Sequence, residues 1–154
     1  MVYKIRVVLD CEEDVIRDIE INSNLNFEDL HNSISNYFDF KGKEMSSFYL
    51  CNDKWEQGQE IFLENFDKNE LIMRETPLNS IVKDVQKKFL YVYDFLELWT
   101  FFVEIIEIIE KPIDYNYQKL IFSHGKLPKI APQKNFVTEK KEDFFNEDYD
   151  DEYY

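Results

Sequence analysis

Hydrophobic residues fall on every second position at the start of the chain. Tyr3, Ile5, Val7 and Leu9 alternate with Lys4 and Arg6, and after the polar turn "CEED" the alternation resumes with Ile19 and Ile21 against Asp18 and Glu20. Two half-buried strands joined this closely predict an antiparallel hairpin. The period then changes. In "NFEDLHNSISNYFDF", Phe27, Leu30, His31, Ile34, Tyr37 and Phe38 recur at three and four, which makes one apolar face of a helix. Asn26 is a suitable N-cap, Asp29 lies in the first turn where a carboxylate suits the dipole, and Gly42 is placed to end the helix or its following turn.

"SSFYLCN" reads as a third strand, and the turn-rich "DKWEQGQEIFLENFDKNE" leaves room for a short one over 60–63. "PLNSIVKDV" opens on Pro77 and holds a helical turn or two. "KKFLYVYDF" puts Phe89, Tyr91, Tyr93 and Phe95 on one strand face. The next stretch, "WTFFVEIIEIIEKP", is ambiguous. Glu104, Glu107 and Glu110 recur every third residue, which suits a helix from Val103 to Glu110. Yet six of the eleven residues 99–109 are β-branched, and these lose rotamer freedom in a helix but pack well on a pleated surface. Trp99, Phe101, Val103 and Ile105 keep strand phase. The expectation is a long strand, with a bulge or strand end near Ile105–Ile106 absorbing the phase slip. Past Pro112, a short helix over 115–122, stopped by Gly125, is expected. Pro128 and Pro132 among lysines mark a surface linker over 126–141. Residues 142–154, "EDFFNEDYDDEYY", have no core-forming period and are expected to be a disordered acidic tail.

A chain of 154 residues suits one core, here over residues 1–125. The net charge of −14 is uneven: residues 119–141 carry six lysines and one acid, residues 142–154 seven acids and no base. The remaining body is therefore at about −12, which repels a phosphate backbone and argues against direct nucleic-acid binding by the folded part. With three glycines there is no glycine-rich nucleotide loop. Cys11 and Cys51 form no CxxC pair, and with His31 and His124 they make no metal-ligand spacing, so no metal or other cofactor is expected. The N-terminal stretch reads as a strand rather than a signal peptide, and no uncharged apolar run is long enough to span a bilayer. A cytoplasmic protein with free thiols is expected.

Taken together, several phrases resemble the plasmid pRiA4b ORF-3-like family. "VIRDIEIN…NFEDLHNSISNYFDF" resembles its strand leading into a helix with a Leu-His pair, here Leu30–His31. "SSFYL" resembles the following strand, and "YVYDFLELW" resembles its Tyr-Asp-Phe-Gly-Asp-x-Trp hairpin, matched by Tyr93, Asp94, Phe95 and Trp99. The resemblance covers about residues 2–125. It implies an α+β fold, a β-grasp-like roll in which a mixed or antiparallel sheet packs on one main helix. Leu96 and Glu97 stand where the family has Gly and Asp, which implies a wider turn. Some family members carry a resolvase label, but three scattered arginines on an acidic body do not supply a phosphoryl-transfer site.

The candidate site residues are accordingly Leu30, His31, Tyr93, Asp94, Phe95 and Trp99. His31 on an apolar helix face reads as a core-edge histidine before a catalytic one. Asp94 with Glu97 offers paired carboxylates at one turn, but an Asp there ordinarily accepts from backbone amides. Cys11 within "DCEED" lacks the positive charge that makes a thiol reactive. Phe144, Phe145, Tyr149, Tyr153 and Tyr154, spaced by acids, suit a basic groove on another protein, or fold back on the linker lysines. These features favour a non-catalytic module with an unknown protein partner. The alternatives are an accessory nucleic-acid or mobile-element protein, acting through the lysine linker or as a DNA mimic, and an enzyme using Asp94, Glu97 and His31.

Overall fold

In the computed structural model, residues 1–64, 67 and 69–132 are described. The first hairpin forms as its alternation dictates: β1 (Val2–Leu9) pairs antiparallel with β2 (Ile16–Asn22) from Val2↔Asn22 to Val8↔Ile16. Helix α1 (Phe27–Tyr37) follows at once. The Asn26 side chain accepts from the Asp29 amide at 2.8 Å, and the Asp29 carboxylate accepts from the Asn26 amide at 3.0 Å. This reciprocal box satisfies two amides that the first turn leaves without helical partners. The helix stops at Phe38, and the left-handed residues Asp39 (φ 62°) and Gly42 (φ 70°) turn the chain toward the next strand.

Strands β3 (Ser46–Cys51) and β4 (Gln57–Phe62), a two-residue β5 (Leu71–Ile72), a 3-10 turn and the one-turn α2 (Leu78–Ile81) come next. They are followed by β6 (Lys88–Tyr93), β7 (Trp99–Ile109) and β8 (Gln118–His124). These strands form one sheet in the order β5-β4-β3-β6-β7-β1-β2-β8, antiparallel throughout except for the β4–β5 pair. Helix α1 lies over one face. Phe27 packs edge-on to Phe48 at 5.2 Å between centroids and against Phe89 at 5.6 Å, while Phe38 meets Phe101 at 4.7 Å. Below them the core-facing rows of β1, β2, β6 and of β7 as far as Ile105 are closed to solvent, Ile5, Val7, Ile19, Tyr91 and Val103 included. The fold is strand-rich α+β with a mixed sheet.

The ambiguous Ile-rich stretch is a strand, and its phase slip is a bulge. Ile5 pairs with Ile105 but Lys4 pairs with Glu107, so Ile106 is the extra residue. Past it, Glu107 joins Glu104 on the outer face, opposite Lys4, and Ile108 falls opposite Tyr3, at the half-open end of the strand. A charge every third residue is here the mark of an interrupted strand.

Three expectations are corrected. Strand β4 begins at Gln57 rather than at 60, because its pairing with β3 extends to Cys51↔Gln57. Residues 118–124 form β8, not part of a short helix, because they pair along β2 from Ile21↔Gln118 to Ile16↔His124. Phe95 does not continue the Phe89–Tyr93 face: β6 ends at Tyr93, and Phe95 sits 44% exposed in the turn. In the segment after β8, Leu127 and Ala131 pack against the core. The lysines at 134, 140 and 141 and the expected tail, residues 142–154, lie outside the described residues.

Candidate functional site

The helix face that carries Leu30 and His31 brings the imidazole under the sheet, where it is 2% exposed. Tyr91 from β6 and Ser46 from β3 converge on one ring atom, Nδ1, at 2.6 and 3.0 Å. Burial pushes the Tyr91 phenol above its ordinary range, although a hydrogen bond with Ser46 works the other way. The phenol therefore keeps its proton, and its hydrogen bond ties Nδ1 of the helix to β6. Desolvation also lowers His31 to about 4 from an ordinary 6.5, so the ring is neutral at physiological pH. Each polar atom that converges on Nδ1 comes from a residue that is itself fully buried, Tyr91 and Ser46 both at 0%. A neutral ring bonded to β6 and β3 through one nitrogen cross-links helix and sheet.

The hairpin residues divide in two. Tyr93 and Trp99, the pair that flanks the turn, are buried around Phe40, which stacks on Tyr93 at 4.2 Å and meets Trp99 at 5.4 Å. Asp94 and Phe95 belong to the turn itself. Asp94 adopts φ 65°, and its Oδ1 accepts from the amides of Leu96 (3.0 Å) and Glu97 (3.3 Å). Its carbonyl accepts from the Leu98 amide, and its own amide donates to the Met45 carbonyl. Five residues thus replace the tight glycine turn that the family motif implied, and a left-handed Leu98 (φ 59°) closes them. The result is a fixed tip that turns apolar side chains outward around the exposed Glu97: Leu96 is 92% exposed, with Phe95 at 44%, Met45 at 39% and Leu98 at 36%.

Sequence reasoning passed over Arg17. It is 8% exposed, and its guanidinium donates to the carbonyls of Tyr37, Ile16 and His124. It also lies over the Phe38 ring at 4.8 Å. The last turn of α1 carries no basic residue of its own, so Arg17 supplies the cation that its carbonyl end favours. The signal was present: Val15, Arg17, Ile19 and Ile21 share one phase, and an arginine in an apolar row must find carbonyls. Arg6, on the outer face, makes a two-pronged pair with the buried Asp18 at 2.9 and 2.8 Å.

An open depression of about 500 Å³ lies at the β7–β8 connection, lined by Lys111, Pro112, Ile113, Asp114 and Tyr117. Lys111 and Tyr117 both donate to Glu20 at 2.7 Å, which leaves the depression no free cation. Among the described residues no group of three His, Cys, Asp or Glu side chains could hold a metal, and no helix is long and apolar enough to cross a membrane. Cys11 and Cys51 are free thiols, and burial raises the pKa of both.

Fold and site together define a strand-rich α+β domain whose polar clusters tie its elements together and whose β6–β7 turn exposes several apolar side chains. The chain belongs to the plasmid pRiA4b ORF-3-like family, whose model matches residues 1–130. Among solved structures it is similar to a protein of unknown function from Methanosarcina mazei Go1. The two share 23% identity with a TM-score of 0.71 over 83% of this chain and 72% of the other, a likeness of fold. No curated protein matches the chain.

Proposed function

We propose that this protein is a non-catalytic interaction module that binds another protein through the β6–β7 turn. The observation that supports it is the set of apolar side chains, Leu96 foremost, held outward on a turn that Asp94 fixes. Contact areas of this kind draw most of their affinity from a few anchors placed in a partner's apolar pocket. In this reading Asp94 serves the turn rather than catalysis, and His31 serves the core. The fold is grasp-like in that one helix lies over one face of the sheet. Residues 142–154, with Phe144, Phe145, Tyr149, Tyr153 and Tyr154, tune the contact, and a cytoplasmic setting suits the two free thiols. The test is an affinity capture with the full chain, a chain ended at residue 138, and Leu96→Asp. Specific retention by the first that is lost in the third supports the reading, and no specific partner for either wild-type form removes it.

A second reading, an accessory nucleic-acid or mobile-element protein, draws on the exposed Lys119, Lys126 and Lys129. It expects salt-sensitive DNA binding only by the chain ended at residue 138. A resolvase is not proposed. Arg6 and Arg17, two of the three arginines, are engaged by Asp18 and by backbone carbonyls.

A further inference from the structure

Strand β8 closes the sheet on its side: it runs for seven residues and pairs with β2 alone. Along its other side the N–H and C=O groups of alternate residues meet no backbone partner among the described residues. The strand is nonetheless held in place. Ser33 of α1 donates to the Gln118 side chain at one end, and Arg17 donates to the His124 carbonyl at the other. A chain that pairs here meets a strand already ordered, so the cost of ordering falls on the newcomer alone.

The side chains select what can pair. From Tyr115 to Pro132 there is no acid, and Lys119, Lys126 and Lys129 are exposed with no ion pair among the described residues. The acids that β2 sets against this strand are engaged elsewhere, Asp18 by Arg6 and Glu20 by Lys111. Opposite them in the register stand Phe122, 47% exposed, and Lys119. At physiological ionic strength charges are screened beyond about 8 Å, so the lysines beside the edge, rather than the net charge of −14, decide what approaches it. A second copy would bring a basic edge against a basic edge. The bulge that leaves Ile121 outside the register between Phe122 and Leu120 also hinders such like pairing. An acidic strand meets the opposite condition.

We propose that the free edge of β8 is a docking site for an extended, acidic segment of another protein, which joins the sheet as an added strand. Main-chain hydrogen bonds along an exposed edge give such pairing its affinity, and cross-strand side-chain pairs give it selectivity. The edge needs an acid against Lys119 and an apolar residue against Phe122, both on one face of the incoming strand. About seven residues cover its length of about 23 Å. Two strands, β1 and β2, separate β8 from β7, so this edge and the β6–β7 turn are different surfaces and either proposal can fail without the other.

Hydrogen exchange followed by mass spectrometry tests this on the full chain with three blocked peptides. The first is Glu-Thr-Phe-Thr-Glu-Thr-Glu, the second has lysine in place of glutamate, and the third is the first with every amide N-methylated. A Kd of about 100 μM slows exchange about tenfold at about 1 mM peptide. Slowing of that size is expected over 118–124 with the first peptide alone, weakened by 0.5 M salt, while β1, β7 and α1 stay unchanged. Lys119→Glu combined with Lys126→Glu and Lys129→Glu should abolish it and make the chain respond to the lysine peptide instead. No slowing by the acidic peptide overturns the proposal. So does equal slowing by its N-methylated form, because the contact is then one of charge without a strand. Full protection of 118–124 before any peptide is added overturns it too, since the edge is then already taken.

Discussion

His31 can be titrated against the stability of the whole domain. In the unfolded chain its imidazole takes a proton near its ordinary 6.5, whereas in the folded protein burial holds that step down at about 4. Above pH 6.5 neither state is protonated, and the full stability is present. As pH falls from 6.5 toward 4 only the unfolded state gains the proton, so stability is lost, and below about 4 the loss is complete. At roughly 1.4 kcal/mol per pH unit the total is about 3 kcal/mol, of which more than half is gone by pH 5. Urea unfolding of the wild type and His31→Gln at four values between pH 7.5 and 5 measures this. Carboxylates that titrate in both proteins, Glu20 among them, cancel in the difference. The wild-type free energy is expected to fall more steeply, with the difference approaching one proton's worth of slope below pH 6. Parallel profiles, or an NMR titration of the His31 ring centred near 6.5, would refute the buried, neutral assignment.

Three further outcomes follow from contacts described above. Tyr91→Phe removes the phenol hydrogen-bonded to Nδ1 at 2.6 Å and should cost about 1–3 kcal/mol in urea unfolding, at the lower end if Ser46 takes over. Arg17→Leu leaves the carbonyls of Tyr37, Ile16 and His124 without their shared donor. It should cost about 2–3 kcal/mol and raise hydrogen exchange at the end of α1 and in β8, while Arg17→Lys recovers part of the loss. Asp94→Asn keeps an acceptor for the Leu96 and Glu97 amides and should stay within about 0.5 kcal/mol of wild type. Asp94→Ala loses the acceptor and strains the left-handed backbone, for about 1–2 kcal/mol by thermal unfolding.

Much of this architecture is legible in the amino acids because one face of each element is buried and leaves its period behind. The alternation of Tyr3 to Leu9, the three-four spacing of Phe27 to Phe38 and the β-branched run from Thr100 each read correctly. What escaped depends on neighbours distant in sequence. Nothing in "QKLIFSH" distinguishes a helical turn from an edge strand until β2 lies beside it with matching register. Phe95 continues an alternating row on paper, but Asp94 ends the strand first by taking a left-handed conformation. The role of His31 was legible as a tendency, since a lone histidine on an apolar face needs a partner. That Tyr91 and Ser46 supply it, from two different strands, was not.

The bulge at Ile106 makes the parity of this segment a heritable constraint. Were the same residues held in regular register instead, Ile106 would pair with Lys4 and Glu107 with Tyr3, on the core side. Loss of one codon between Trp99 and Ile105 would throw the Trp99, Phe101, Val103 and Ile105 row out of phase, whereas loss of Ile106 would only restore plain alternation. Relatives should therefore keep the spacing from Trp99 to Ile105 and vary in length, where they vary, at the bulge.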